Sequence, residues 1–399
     1  MKIVHYSAGN YPSSSTGGPL KIIYLLIRNE DNKGIKQYVL TNHGIISEDE
    51  FIKKQNYENK VKRIKKYWFI KGSRLARFSS IKRDMFIYRH LIRFGEFIFH
   101  NHFAGSSTLL TRYLNNKRIP MITTFQSKGS IINEVESSHG VDKNHLFSKY
   151  LFSQERFVIK NSNIVTFPSR ASFNLMKASH QEINFDKIDV RIVYNGIDDN
   201  LLDKIIFQES KAPNEKLQII NVAQHIEQKQ IDKALLILDK LKDKIDFVFI
   251  NVGDGHLLQK HRDIVKDRGL EKNVKFLGRL PYEDVIKLLY KSDLFLMTSR
   301  DVIFDLITLE AMYIGLPVLV SADGGNLELI NHNKNGFLIL PDKPQETAEL
   351  IIKLKNDFEL YKMISNNAKK TIKDNYTVKK MFSDYLKIYD ELNLKFYGK

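Results

Sequence analysis

Short apolar runs alternate with segments of helical periodicity through the first half of the chain. The first run, residues 2–6 (KIVHY), ends at a segment rich in glycine and serine that extends through Gly18, and apolar residues then recur at helical spacing at Leu20, Ile23, Tyr24 and Ile27. Further strands are predicted at residues 37–40, 97–100, 121–123 and 163–166, with a helical pattern at 107–114. This alternation predicts a parallel, doubly wound α/β sheet.

The pattern restarts after residues 193–213, where a strand runs into Tyr194-Asn195-Gly196 and a polar stretch follows. Strands are then predicted at residues 217–222, 247–252, 274–277, 294–297, 317–320 and 336–340. Helical patterns separate them, so the second half predicts a second Rossmann-like domain. Residues 378–396 carry their apolar positions on one face, which predicts a closing amphipathic helix.

The composition of this chain of 399 residues excludes several kinds of catalytic and metal site. It contains no cysteine, which excludes thiolate catalysis, cysteine-ligated zinc and disulfides. No apolar run reaches the roughly 18 residues that span a bilayer, and the N-terminus resembles no signal peptide. The sequence therefore predicts a cytoplasmic protein.

Charge is concentrated in one segment. The chain has 62 Lys+Arg against 46 Asp+Glu, a net charge of +16, and residues 53–93 contain 14 basic residues against only Glu58 and Asp84. Tyrosine, tryptophan and phenylalanine are interleaved with these cations, as an anionic membrane surface favours. We expect this segment to dock on the inner face of the cell membrane. The alternative is a solvated basic face, and a nucleic-acid partner is not expected because no recognised binding module accompanies the charge.

Two histidines, His100 and His102, follow a predicted strand and therefore lie at the edge of a sheet where ligands usually bind. A metal site is one interpretation of this pair. No third cluster of ligands is visible in the sequence, so we expect the two side chains to form hydrogen bonds in the core or on the acceptor side.

An ordered set of motifs resembles the family 4 glycosyltransferases. Its densest part is the segment from Leu309 to Val318 (LEAMYIGLPV), followed by Gly324-Gly325-Asn326-Leu327-Glu328. Weaker matches occur in family order over nearly the whole chain, at residues 17–18, 168–170, 194–198, 253–255, 274–278 and 335–336. The resemblance implies the GT-B fold: two Rossmann-like domains that face a central cleft, with a C-terminal helix that closes back over the N-terminal domain.

The resemblance also implies a division of labour. Residues 1–198 would bind the acceptor, residues 199–375 would bind a nucleotide-diphosphate sugar, and residues 376–399 would form the closing helix. The implied activity is that of a retaining hexosyltransferase that adds a sugar to a growing surface glycan, such as capsule or lipopolysaccharide, or to a glycolipid acceptor. Such an enzyme is expected to need no metal or other cofactor.

The donor site is predicted from motif positions and from the chemistry of a diphosphate. Glycines allow close backbone approach, and amides at a helix N-terminus together with a lysine neutralise phosphate. A glutamate on the same helix would accept the ribose hydroxyls. The predicted donor-binding residues are Gly17, Gly18, Lys229, Gly278, Leu306, Ile307 and Glu310.

Three positions depart from the family pattern. The usual glutamate eight residues before Glu310 is Val302, the usual arginine before the phosphate lysine is Gln224, and the usual histidine of the first domain is Gln126. Asp301 is the expected substitute for the lost glutamate, since Asp305 would lie near the diphosphate, which is electrostatically unfavourable unless it caps its helix instead. The predicted catalytic residues are Asp301, Gln126 and His102.

These departures keep a second interpretation open, in which the chain is a weak or inactive GT-B subunit that binds glycan or stabilises a partner transferase. A third is a different GT-B enzyme, such as an epimerase or a phosphorylase.

Overall fold

The computed structural model describes residues 1–6, 19–28, 34–41, 44–50, 87–92, 94–102, 108–133, 146–206 and 216–398. The chain forms two compact units. Unit 1 consists of Met1–Tyr194 together with Met381–Lys399, and unit 2 of Asn195–Lys380. Each unit is a sheet with helices in its connections, so the predicted pair of Rossmann-like folds is confirmed.

Within its described residues, unit 1 has a seven-stranded sheet in the order β3-β2-β1-β4-β5-β6-β7. The strands are β1 (Lys2–Tyr6), β2 (Lys36–Thr41), β3 (Gly44–Ser47), β4 (Ile98–Asn101), β5 (Met121–Thr124), β6 (Ile164–Phe167) and β7 (Val190–Ile192). The central strands are buried on both faces, which explains their continuous apolar runs.

The sequence predicts a parallel sheet in unit 1, but the sheet is not wholly parallel. Strand β3 pairs antiparallel with β2, with Tyr38 opposite Ser47 and Thr41 opposite Gly44. Only residues 42 and 43 lie between the two strands, and a parallel crossover needs a connection of about a dozen residues or more. The remaining strand pairs of this sheet are parallel.

Apolar faces of four helices cover the sheet of unit 1. Buried residues of the sheet, of α2 and of α4 share one core, which includes Phe99, Leu114 and Met176. The four helices are α1 (Pro19–Ile27), α2 (Thr108–Asn116), α3 (Leu146–Asn161) and α4 (Arg170–Ser179).

Unit 2 has a fully parallel sheet of six strands among its described residues, in the order β10-β9-β8-β11-β12-β13. Its strands are β8 (Leu217–Val222), β9 (Phe247–Val252), β10 (Val274–Phe276), β11 (Leu294–Met297), β12 (Val318–Ser321) and β13 (Phe337–Ile339). Renumbered within the unit, this is the order 3-2-1-4-5-6 of a dinucleotide-binding Rossmann sheet.

Helices follow most strands of unit 2 and pack on both faces of its sheet. They are α5 (Asp199–Ile205), α6 (Ile231–Asp239), α7 (Leu258–Asp267), α8 (Tyr282–Lys291), α9 (Leu306–Ile314), α10 (Asn326–Leu329), α11 (Pro344–Asn356) and α12 (Phe358–Asn375). Helix α9 is buried along most of its length and has Gly315 at its C-terminal end, with φ of 86°.

The last helix, α13 (Val378–Tyr397), belongs to unit 1 from Met381 onward. Its buried tyrosines reach the sheet of that unit, because the Tyr389 hydroxyl lies 2.7 Å from His100 Nδ1 and the Tyr385 hydroxyl 3.1 Å from Thr124 Oγ1. The Tyr397 hydroxyl also donates to the carbonyl of Phe97 at 2.8 Å. The C-terminal helix is thus part of the N-terminal fold, as predicted.

In a doubly wound sheet, ligands bind beyond the carboxyl ends of the strands, where the strand order reverses. That point lies between β1 and β4 in unit 1 and between β8 and β11 in unit 2. No helix among the described residues has the length and apolar character needed to cross a bilayer.

Candidate functional site

Three loops meet backbone to backbone at the carboxyl end of β8 in unit 2. A Cβ atom on Gly253, whose φ is 156°, would lie 2.0 Å from the carbonyl oxygen of Ala223, and one on Gly255 would lie 2.4 Å from that of His225. The amide of Gly253 donates to the carbonyl of Gly278 at 2.8 Å. Predicted donor residue Gly278 is therefore fixed beside the end of β9, and glycines at 253 and 255 let that loop approach the end of β8.

The loop after β11 is attached to the turn that carries Lys229. Thr298 Oγ1 donates to the carbonyl of Gln230 at 2.8 Å, and the amide of Arg300 donates to that of Gln228 at the same distance. Lys229 lies in a short 3-10 helix that ends at Gln230, whose φ is 44°. The structure thus brings the predicted phosphate lysine next to the segment that precedes α9.

Lys229 is paired with an acid. Its Nζ lies 3.2 Å from Asp305 Oδ2, and about a quarter of each side chain is exposed. Asp305 occupies the N-cap position of α9, but its side chain accepts no capping hydrogen bond. Asp305 therefore does not cap this helix through its side chain. The lysine ammonium takes the carboxylate because a charge-assisted bond is stronger than one to a neutral amide.

The start of α9 offers amides that its N-cap side chain does not engage. Leu306 and Ile307 are the first two residues of this helix, and both are half-buried. The first amides of a helix have no partner within the helix, and the helix dipole adds partial positive charge there. With Lys229 alongside, this region can receive a phosphate group.

Glu310 lies further along α9 and is only 2% exposed. Its Oε1 accepts a hydrogen bond of 2.8 Å from the Tyr282 hydroxyl. Burial raises the pKa of Tyr282, and the carboxylate of Glu310 raises it further, so the phenol keeps its proton and donates it. Glu310 is thus not a solvated helix glutamate. It is a buried, oriented acceptor suited to hydroxyl groups.

The segment between β11 and α9 replaces the expected glutamate with an apolar residue. Val302 is buried, its amide donates to Asp323 Oδ1 at 3.2 Å, and a Cβ on Gly324 would lie 2.0 Å from its carbonyl oxygen. Asp301, next to it, is exposed and has φ of 54°. Aspartate adopts this left-handed conformation more readily than most residues do. The carboxylate of Asp301, next to the position where Val302 replaces the usual glutamate, therefore projects from a fixed backbone.

A buried histidine pair lies beside Gln224, and sequence reasoning did not identify it. His225 Nδ1 is 2.7 Å from His261 Nδ1. Burial, followed by the neighbouring His225, lowers the pKa of His261 to about 4, and burial lowers that of His225. The pair is therefore neutral near pH 7 and adds no cation to compensate for the exposed Gln224. The two histidines lie 36 positions apart in sequence, so only the fold brings them together.

In unit 1, three buried histidines meet where β1 and β4 end. His5 Nε2 lies 2.8 Å from Gln37 Oε1, and His5 Nδ1 lies 3.1 Å from His102 Nε2. His100 contacts Thr124 Oγ1 through Nε2 and the Tyr389 hydroxyl through Nδ1, each at 2.7 Å. Predicted catalytic residue His102 is only 5% exposed. These contacts are core hydrogen bonds of the kind expected for the HxH pair.

The hydrogen bonds fix the protons of this cluster. Gln37 donates its own amide to the carbonyl of Leu26, so its Oε1 must accept from His5 Nε2–H. His5 Nδ1 then accepts from His102 Nε2–H, and His102 Nδ1 is left as a buried acceptor without a partner. The three rings also have ligand nitrogens within 4.8 Å of one another, as a metal site requires. Both nitrogens of His100 are engaged by hydroxyl groups, however, so the arrangement fits a neutral hydrogen-bonded cluster better.

Gln126, the third predicted catalytic residue, is half-buried and follows β5. The loop after it is held by a buried acid on α3. Glu155 Oε2 accepts from the Ser130 hydroxyl and lies 2.8 Å from His180 Nε2, and Glu155 Oε1 accepts from the Ile131 amide at 2.9 Å. The side chains of Glu155 and His180 are fully buried. Residues 127–133 are therefore fixed by α3 and by the end of α4, which sequence reasoning missed.

The remaining predicted donor residues, Gly17 and Gly18, lie outside the described residues, as does most of the basic segment 53–93. Of that segment the structure describes only residues 87–92.

Comparison with known proteins identifies the kind of fold that carries these sites. Residues 203–371 match the family described as "Glycosyl transferases group 1". These matched residues belong to the group 1 glycosyltransferases, and the chain is a glycosyltransferase. The resemblance to family 4 glycosyltransferases is thereby confirmed. Its relatives include the N-acetyl-alpha-D-glucosaminyl L-malate synthase of Bacillus anthracis, 28% identical over 301 residues, which are 73% of this chain and 74% of the relative.

Another relative is the alpha-1,3/1,6-mannosyltransferase of Dictyostelium discoideum, 27% identical over 59% of this chain and 57% of the relative. Among solved structures, the sucrose-phosphate synthase of Thermosynechococcus elongatus has a TM-score of 0.72 at 14% identity and covers 99% of both chains. The HepE protein of Anabaena, in complex with UDP and glucose, has a TM-score of 0.66 at 18% identity over 98% of this glycosyltransferase and all of HepE. These likenesses confirm the GT-B fold.

Replacing Glu155 with alanine should destabilise unit 1 by about 3 kcal/mol, because three buried donors lose their acceptor. Glu182→Ala is the matched control: Glu182 lies 3.4 Å from the other nitrogen of the same His180, but it is 40% exposed. The control should cost less than about 1 kcal/mol. Urea unfolding followed by far-UV circular dichroism measures the loss of stability in both variants. Equal losses in the two variants would contradict the role of Glu155.

The histidine cluster should make unit 1 less stable in acid. Burial lowers the pKa of His5 to about 4, and burial together with the neighbouring histidines lowers the pKa of His100 and His102. The unfolded chain takes up these protons below about pH 6.5 while the folded chain does not, so stability is complete above that pH and falls towards pH 4. The slope should be about 1.4 kcal/mol per pH unit for each histidine.

A variant isolates the contribution of one ring. His102→Gln should unfold with a shallower dependence on pH between 4 and 6.5 than the wild type, and exposed His332→Gln should not differ from it. Urea midpoints by far-UV circular dichroism at several pH values provide the comparison. Parallel curves for His102→Gln and the wild type would show that this ring is not held neutral.

Proposed function

We propose that this protein is a retaining hexosyltransferase that moves a sugar from a nucleotide-diphosphate sugar to a growing surface glycan, such as capsule or lipopolysaccharide, at the cytoplasmic face of the membrane. The observation that carries the proposal is the group of residues around the N-terminus of α9 in unit 2. Buried Glu310, the amides of Leu306 and Ile307, and Lys229 lie around one helix N-terminus at the reversal point of a Rossmann sheet. Together they offer partners for a ribose and a diphosphate.

The comparisons support a nucleotide-sugar donor. The HepE structure contains UDP and glucose, and a TarM structure from S. aureus, 20% identical over 73% of this chain, contains UDP and an alpha-GlcNAc-glycerol. In our proposal the diphosphate lies at α9 and Lys229, and Glu310 accepts the ribose hydroxyls. No metal is required, because the lysine and the helix amides meet the charge of the departing phosphate.

Retention is supported by the names of the relatives, since the malate synthase and the mannosyltransferase are both named for alpha linkages. An alpha-linked donor that yields an alpha-linked product has kept its configuration. In our mechanism the bond between the sugar C1 and the phosphate oxygen breaks as the acceptor oxygen bonds to C1 on the same face. The acceptor proton passes to the departing phosphate, so the absence of the usual histidine at Gln126 is compatible with turnover.

The pairing of Lys229 with Asp305 favours a second candidate function, that of a weak or inactive subunit. Lys229 is paired with Asp305, Val302 is apolar and Gln224 is uncharged, so this donor site has fewer polar contacts than the family pattern provides. These features would also suit a weak or inactive subunit that binds glycan or stabilises a partner transferase. Hydrolysis of the donor without acceptor, measured as release of nucleoside diphosphate, separates the two, because an inactive subunit releases none.

Glu310→Gln should weaken binding of the nucleoside diphosphate at least about tenfold, because a charge-assisted bond to the ribose becomes a neutral one. Glutamine can still accept from Tyr282, so the fold should be retained. A thermal-stability screen with UDP, GDP, ADP and dTDP selects the nucleotide, and calorimetry measures its affinity. Tyr282→Phe keeps the carboxylate and should lose less than Glu310→Gln. Unchanged affinity in Glu310→Gln would remove this residue from the site.

Asp301→Asn should reduce turnover by about 1–3 kcal/mol of activation free energy while nucleotide affinity stays near that of the wild type. We propose that this exposed carboxylate holds a sugar hydroxyl in place of the glutamate lost at Val302. Asparagine tolerates the same left-handed conformation, so thermal stability should not change. Steady-state release of nucleoside diphosphate gives kcat and KM. A variant with wild-type kcat would show that other groups hold the sugar.

Sedimentation with vesicles tests the membrane part of the proposal. The basic and aromatic residues of segment 53–93 motivate it. The protein should sediment with vesicles that contain phosphatidylglycerol and stay in solution with phosphatidylcholine alone, and added salt should release it because ions screen the charges. Equal binding to both vesicles, or binding to neither, would contradict docking on anionic lipid.

A further inference from the structure

The contact between Lys229 and Asp305 places a carboxylate where the proposed donor needs a phosphate. The two charged atoms are 3.2 Å apart, with side-chain exposures of 25% and 23%. The backbone on both sides is fixed, since Thr298 Oγ1 donates to the carbonyl of Lys229 at 3.3 Å and the Asp305 carbonyl accepts from the amide of Thr308 at 3.2 Å. Because about three quarters of each side chain is buried, water screens the attraction between the two charges only partly.

The aspartate has a second set of partners that it does not use. At the N-cap of a helix, an aspartate normally accepts from the amides of the first turn. Asp305 has the extended backbone of an N-cap residue, with φ of −84° and ψ of 117°, yet its side chain makes no such bond. The lysine therefore has an anion, and the helix amides have none from this residue. An incoming phosphate can bind these amides only close to a carboxylate of the same sign.

We propose that Asp305 is a specificity-determining residue that acts as a built-in competitor for the donor's diphosphate. It neutralises Lys229 in the empty site and must give way when the ligand binds, which lowers the affinity of every phosphate ligand. The inference rests on the proposed nucleotide-sugar chemistry. It adds the consequence that affinity comes more from the nucleoside and the sugar than from the diphosphate.

The penalty is larger for the product than for the donor. A nucleoside diphosphate released by transfer carries one more negative charge at neutral pH than the nucleotide sugar, because its terminal phosphate is no longer esterified and its second pKa is about 6. Repulsion from Asp305 therefore grows when the sugar leaves. The Lys229–Asp305 pair is then restored as the product departs, so Asp305 promotes product release, a step that limits turnover in many enzymes.

Calorimetry with pyrophosphate, uridine, UDP and UDP-glucose tests this role in the wild type and in Asp305→Asn. Asp342→Asn is the matched control, because Asp342 pairs with Lys233 in the same unit at 2.5 Å and its removal changes the net charge equally. Asp305→Asn should bind pyrophosphate and UDP about tenfold more tightly. UDP should gain more than UDP-glucose, and uridine should not change. Asp342→Asn should match the wild type throughout.

Lys229→Met shows whether the lysine is released. Its cost to pyrophosphate binding should be small in the wild type and about tenfold or more in the Asp305→Asn background. Asp305→Ser, which can cap α9 through its hydroxyl, provides a second variant whose thermal midpoint reports on folding. It should tighten pyrophosphate binding as Asp305→Asn does.

The outcomes separate this inference from the proposed function. Tighter pyrophosphate binding without binding of any nucleotide would support Asp305 as a competitor and overturn the nucleotide-sugar donor. Weaker or unchanged pyrophosphate and UDP binding in both Asp305 variants would overturn the inference, since the aspartate would then orient Lys229 or be irrelevant to it. Equal gains for UDP and UDP-glucose would overturn the role in product release.

Discussion

The candidate site of unit 2 depends on a steric constraint, because several loop backbones approach one another more closely than a side chain would allow. Gly253 and Gly255 lie against the main chain after β8, and Gly324 lies against the main chain at Val302. A methyl group at any of these positions would lie within 2.4 Å of a carbonyl oxygen, so the loops would have to separate. Because the turn with Lys229 and the segment before α9 follow directly, their geometry rests on these contacts.

Most of the charged or titratable side chains on this backbone are paired or held neutral. The lysine is matched by an aspartate, the histidines beside Gln224 are held neutral by burial, and the strongest acceptor, Glu310, is oriented by a tyrosine that burial keeps protonated. Unit 1 follows the same rule, with three neutral histidines at its own reversal point. The described side chains named here at the two reversal points carry little net positive charge, although the whole chain carries a net charge of +16. Specificity in such a site comes from direction and shape more than from attraction.

The strands of unit 2 were predictable because a strand buried on both faces appears as an unbroken apolar run. Strands β8, β9 and β11 have the predicted bounds. The edge strand β3 was missed because a four-residue hairpin arm has no such run. Glu310 was predicted from its motif, but the Lys229–Asp305 pair spans 76 positions and the Glu155–His180 pair 25, and no local pattern encodes either. Sequence thus located the site's elements, whereas the partner of each charge depended on tertiary packing.

The discontinuity of unit 1 has a consequence for biosynthesis. Its sheet is encoded before residue 195, but Tyr389, which contacts His100, and Tyr385, which contacts Thr124, are translated only after unit 2. Unit 2, a continuous segment from Asn195 to Lys380, emerges from the ribosome in full before them. The sheet of unit 1 therefore lacks the Tyr389 hydroxyl that contacts buried His100 until unit 2 has been made.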